Sequence, residues 1–151
     1  MALYPRRLKG GYISVLVGDG ADPETFTKLC GATSKSFTVQ KNTTDDNLDP
    51  CDDPEAIPSR VLQVTGKQAS MALNIVYNRT QAELIRSLIL TSDSSTMRFE
   101  FTEPAGDIVD GGYWEGQFQV TNFQVTGGGN AEYANGTLQI ESDGDFAWVD
   151  A

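Results

Sequence analysis

From residue 116 the chain reads GQFQVTNFQVTGGGNAEYANGTLQIES, and its apolar side chains alternate with polar ones. Phe118 and Val120, then Phe123 and Val125, are separated by Gln117, Gln119, Asn122 and Gln124. Alternation with period two predicts a strand with one packed face, and the glycines at 127, 128 and 129 predict the turn of a hairpin. The step from Val120 to Phe123 changes the phase, which inverts the buried face unless an extra residue is accommodated there. A second long run, from Arg60 to about Tyr77, behaves in the same way. Leu62 and Val64 lie in one phase and Met71, Leu73 and Ile75 in the other, so Gly66 or a neighbour is expected to hold a bulge. Two long bent strands suit a sheet that curls towards a barrel.

The remaining pattern supplies shorter elements. Tyr12 to Val17 is predicted as a first strand closed by GDGADPE, with a short strand near Phe26 to Cys30. From Ser34 to Thr44, Phe37 and Val39 alternate against Ser36, Thr38 and Gln40. The pattern then stops at DDNLDPCDDPEAIP, whose three prolines and six acids, with no base, exclude a buried element. One helix is predicted from Thr80 to about Leu90, with Leu84, Ile85, Leu88 and Ile89 as its apolar stripe and Thr80 and Glu83 as a capping box. Thr96 to Thr102 alternates Met97, Phe99 and Phe101 against Arg98 and Glu100, EPAGDIVDGG reads as a loop, and Phe146 to Val149 as a final edge strand. About seven strands and one helix make a mainly β single domain over residues 1–151, a β-sandwich or partial barrel with one flanking helix.

Composition narrows the function. The 151 residues carry 21 acids against 11 bases, a formal charge of -10, and no histidine. Such a surface repels phosphate backbones, because nucleic-acid affinity comes mainly from Lys and Arg displacing counterions. No apolar run approaches the roughly 18 residues of a membrane span, and ISVLV is shorter than the roughly 7 to 15 residues of a signal-peptide core. Residues 1–10 therefore read as a basic arm. Cys30 and Cys51 are expected to be reduced thiols, although spacing alone leaves their pairing open. The N-x-[ST] matches at Asn42, Asn78 and Asn135 read as chance.

Candidate chemistry is sparse. Without histidine the Ser-His and Cys-His nucleophile pairs are absent, and two thiols twenty-one positions apart are short of a zinc set. Glu100, Glu103, Glu115 and Glu132 could supply a glycosidase pair, but carboxylates on strand exteriors are ordinarily a solvated face. Asp45, Asn47 and Asp49 begin like a calcium loop, yet Pro50 stands where glycine is needed and Ala56 where glutamate is needed. The expectation is no catalytic residue, no metal and no cofactor. The acids of this loop call for water, cations or basic side chains, which Arg6, Arg7 and Lys9 of a neighbouring copy would supply.

The order of SKSFTVQKNTTDD, PSRVLQVTGKQASMALNIVY, TQAELIRSLIL, MRFEFTE and GGYWEGQFQVTNFQVTGGGNAEYANGTLQIESDG resembles the tail tube proteins, or major tail proteins, of long-tailed phages and gene transfer particles. The resemblance covers about Gly11 to Val149. It implies a structural virion protein that forms hexameric rings in the host bacterial cytoplasm, stacked into a hollow tube for genome delivery. Long strands would join edge to edge into an inner barrel whose channel is acidic and polar, lined by the face of Gln117, Gln119, Gln124, Thr137, Gln139 and Glu141. Residues 42–58, with Asp45, Asp46, Asp49, Asp52, Asp53 and Glu55, would reach the adjacent ring. Implied partners are further copies, tape-measure protein, and tail terminator and distal tail proteins, with DNA passing through unbound and no membrane involved. The competing class is a soluble β-sandwich module for carbohydrate or calcium, using Tyr113, Trp114 and Tyr133 as a stacking platform.

Overall fold

A computed structural model describes the main chain of residues 13–102, 108–130 and 132–150. Its strands are β1 (Ile13–Gly18), β2 (Phe26–Lys28), β3 (Ala32–Leu48), β4 (Ser59–Val76), β5 (Ser95–Thr102), β6 (Ile108–Thr126) and β7 (Asn135–Asp150), with one helix, α1 (Arg79–Leu90), between β4 and β5. All seven strands form one antiparallel sheet in the order β2-β1-β5-β6-β7-β4-β3.

The sheet curls. Phe37 on β3 stacks on Phe99 of β5 with ring centroids 4.8 Å apart, although three strands lie between β3 and β5 in the order. Lys35 of β3 reaches across to donate to the carbonyl of Ile13 on β1, and burial, then the nearby Lys28, lowers its pKa. The core lies inside this curl. Val15 and Val17, Met97 and Phe99, Phe118 and Val120, Leu138 and Ile140, and Met71, Leu73 and Ile75 all turn inwards, as their alternation requires. The edges β2 and β3 do not hydrogen-bond to each other, so the barrel stays open.

The predicted phase changes are bulges. Asn42 faces Gly66 while Thr43 faces Val64, which leaves Thr65 as the extra residue of β4. Val120 faces Ile140 while Asn122 faces Gln139, which makes Thr121 the extra residue of β6. A larger irregularity in β7 was not foreseen. Gly116 faces Phe146 and Phe118 faces Ser142, so the segment Asp143 to Asp145 bows out, with Gly144 at φ 115°. Gly116 sits so close that an added Cβ would lie 2.5 Å from the Phe146 Cβ. Here β7 leaves β4, whose pairing with it covers only Ser70–Val76. Lys67 spans the parting, bonded to Asp145 at 2.8 Å and donating to the Phe146 carbonyl at 2.9 Å.

Several boundaries differ from expectation. Helix α1 starts at Arg79, capped by Asn78, whose side chain accepts from the Gln81 amide at 3.0 Å. Asparagine caps at least as well as threonine, so the Thr80 to Glu83 capping box does not form, and Glu83 instead faces Arg79 at 3.5 Å. Ala82 and Ile85 carry the buried stripe, with Leu84, Leu88 and Ile89 packed beside it. β3 continues through Asp45, Asp46 and Asn47 to Leu48, because β4 supplies the pairing partners, so the expected loop of residues 42–58 contracts to 49–58. Ile108 to Gly112 belong to β6, while 103–107 lie outside the described residues. Phe146 to Val149 are the end of β7, paired with Trp114 and its neighbours on β6.

Candidate assembly surface

Opposite the core, the sheet presents a second face. Cross-strand register puts Gln119 against Glu141, Asn122 against Gln139 and Gln124 against Thr137. Each of these positions alternates with a core residue, so Gln117, Gln119, Gln124, Thr137, Gln139 and Glu141 all lie on the side away from the core. Gln117 and Gln139 are half-buried. Gln117 accepts from Ser94 at 3.2 Å and donates to Thr96 at 2.8 Å. Gln119 donates to Asp143 at 2.6 Å and to the Ser92 carbonyl at 3.3 Å. These two amides are thus tied to the segment entering β5, at the margin of the face.

The centre of the face includes residues that the pattern alone did not bring together. Glu141 faces Ser70, Gln139 faces Ala72 and Thr137 faces Asn74 on β4, and these face Thr38, Ser36 and Ser34 on β3. The alternation had already turned these side chains outwards, but the adjacency of β4 to β7 appears only in the strand order. The outcome is a strip four strands wide, β3-β4-β7-β6, surfaced by hydroxyls and amides. It contains no Lys or Arg, since Lys35 points inwards, and its carboxylates are Glu141 and, accepting from Gln119, Asp143. It is therefore more nearly neutral than the net charge of -10 suggested.

Both lateral borders of the strip are edges with no further strand paired to them among the described residues, and α1 lies against β6. Among the described residues β3 pairs only with β4, along its whole length. β6 pairs with β5 no further than Phe118, where Ser95 stands opposite, so among the described residues Gln119–Thr126 has no strand on that side. Unpaired edges of this kind template pairing with another chain. Beyond Lys67 the strands β3 and β4 pair only with each other, as a projecting arm. On this arm Asp45 pairs with Arg60 at 2.9 Å across exposed positions, a contact of small energetic value. Asp46 lies on the opposite side of β3, and Asp49, Asp52, Asp53 and Glu55 are exposed in the loop at its tip.

Among the described residues no group of three or more potential ligands could hold a metal ion. Cys30 and Cys51 are free, exposed and at opposite ends of β3. The aromatic platform does not assemble. Tyr113 and Trp114 are consecutive on β6 and point to opposite faces, Tyr113 beneath the Arg98 guanidinium and Trp114 against Phe37 and Phe146, while Tyr133 stands in the distant β6–β7 turn.

A family profile described as phage tail tube protein matches residues 8–147. The chain belongs to that family. Among curated proteins, no sequence matches this tail tube protein. Solved structures share its fold. The tail of an empty gene transfer agent particle, refined helically with C6 symmetry, superposes with a TM-score of 0.75 at 18% identity, covering 95% of this chain and 99% of that one. The virion of the native gene transfer agent particle gives 0.69 at 16%, covering 95% and 99%. The SPP1 tail tube gives 0.68 at 9%, covering 96% and 80%. As a tail tube protein, the chain is a structural component of a virion tail.

Proposed function

We propose that copies of this tail tube protein join side by side through the two open edges, β3 of one against Gln119–Thr126 of β6 in the next. The observation that carries this reading is that both edges border the same polar strip, so pairing them repeats that strip around a ring. The bend from the bulges supplies curvature. Six copies close the ring, in keeping with the C6 symmetry of the gene transfer agent tail that the fold resembles. Rings then stack, with the β3–β4 arm and its acids reaching the adjacent ring.

The bore of this tube is the polar strip. Hydroxyls, amides and carboxylates offer phosphate no cationic foothold, so DNA passes without binding. Tape-measure protein occupies the bore before the genome, terminator and distal tail proteins close the two ends, and assembly takes place in the host bacterial cytoplasm. Electron microscopy of the concentrated purified protein tests the reading. Rings or tubes are the expected result, and persistent monomers at every concentration would refute it.

A further inference from the structure

Both tryptophans of the chain stand at one end of the curl, where β1 and β6 begin and β5 and β7 end. Between these strand ends lies a cavity of about 200 Å3, walled by Ile13, Phe37, Phe99, Phe101, Trp114 and Trp148. Gly112 makes room for the Trp148 ring, since an added Cβ would come within 2.9 Å of it. The cavity is open. Ile13, Phe37, Phe101 and Trp114 are half-buried and Trp148 is 38% exposed, whereas further along the same face Met97, Phe118 and Ile140 have no exposed surface. An apolar cavity of about 150 Å3 stays dry and can hold a benzene ring, so this one has space for a single apolar side chain.

We infer that the cavity is a docking site for the basic arm of the same copy, with Leu8 as the side chain that enters it. Ile13, the first described residue, is itself a wall, so the residues ahead of it leave from the mouth. Leu8 is five positions back, within about 17 Å along a chain that rises roughly 3.4 Å per residue. Gly10 and Gly11 stand between them and permit the reversal that brings Leu8 over the mouth. Charge agrees when both signs are counted. Glu100 lines the cavity, and Asp150 accepts from the Trp148 indole at 3.0 Å. Of the described cations on this face, Lys35 donates to the Ile13 carbonyl and Lys67 is paired with Asp145. Arg98 lies on the opposite face, between Phe26 and Tyr113 and paired with Glu115. Two carboxylates thus stand against the Lys35 ammonium, and the arm brings Arg6, Arg7 and Lys9 with no acid. A short tether also gives Leu8 a high local concentration that a free partner lacks. The arm then seals the end of its own core, covering aromatic surface that would otherwise invite association before the sheets join. Nothing in this contact depends on how copies join.

Trp114 and Trp148 make the intrinsic fluorescence of the unassembled protein the reporter, because both line the cavity. Deleting residues 2–9, and separately Leu8→Asp, should move the emission to longer wavelength and strengthen its quenching by acrylamide, whereas Leu8→Met should match the parent. Benzene should raise the melting temperature of the first two variants and not that of the parent, because only they leave the cavity to be filled. Dilution of the parent should leave its emission unchanged. Parent-like emission in both the deletion and Leu8→Asp, or an equal effect of benzene on the parent, would overturn the inference. So would a parent spectrum that moves to longer wavelength on dilution, for a neighbouring copy would then fill the cavity. All these readings come from single subunits, so the tube reading stands or falls separately.

Discussion

Replacing Gln139 with lysine tests the idea that the polar strip is a non-adhesive bore. The side chain is half-buried on the face away from the core, makes no hydrogen bond among the described residues, and lies between Ala72 and Asn122. The fold should tolerate the change. The new ammonium would offset Glu141, two residues along the same strand face, and place a mobile cation where none existed. Unit charges 4 Å apart in water attract by about 1 kcal/mol, so a ring of six could hold passing DNA by up to about 6 kcal/mol. If only a quarter of that appears as a barrier, passage slows about tenfold. Because screening acts over about 8 Å at physiological ionic strength, raising the salt should restore the rate. Particles built from the variant would be assayed for DNA release in real time, with Gln139→Glu as the control of similar shape and opposite charge. Morphologically normal tubes of the lysine variant that release DNA at the wild-type rate in low salt would refute the reasoning.

Other consequences concern stability and assembly. Phe118→Ala removes a ring with no exposed surface that meets Phe99 edge-on at 4.8 Å, and should cost about 3–5 kcal/mol in urea unfolding of the unassembled protein. Deleting Asp46 to Glu55 shortens an arm that pairs only with itself, so circular dichroism and thermal melting should report a native monomer while electron micrographs contain no tubes. Asp145 has its pKa held below the ordinary carboxylate value, first by the hydrogen bond and charge of Lys67. This contribution is present above the unfolded-state pKa and is lost as pH falls through the lower folded value. Asp145→Asn should therefore unfold with a weaker dependence on pH below about 4 than the parent, as followed by acid titration of circular dichroism.

Much of the fold was legible because local signals agreed with one another. The bulges at Thr65 and Thr121 follow from period-two phase alone, since a face that must stay buried admits only one repair. The apolar stripe around Ile85 likewise specified a helix, although its cap fell to Asn78 because two suitable cap residues, Asn78 and Thr80, stand at that turn. What escaped was non-local. Asp45 to Leu48 looked like loop until β4 supplied partners, for an exposed strand of acids and amides has no alternation to betray it. The bow at Gly144, where β7 parts from β4, is met by Lys67, a residue far away in the sequence. The outward polar residues were readable one strand at a time, but the near-neutral strip exists only because β7 lies between β6 and β4.

Amide hydrogen exchange before and after assembly tests the central claim most directly, because it reads the two open edges themselves. In the monomer, the outward amides of β3 and those of Gln119–Thr126 on β6 should exchange rapidly. In tubes both sets should slow together by orders of magnitude, while the core amides of Phe118 and Ile140 hardly change. Edges that exchange as fast in tubes as in monomers would contradict the account, for the copies would then be joined by something other than their sheets.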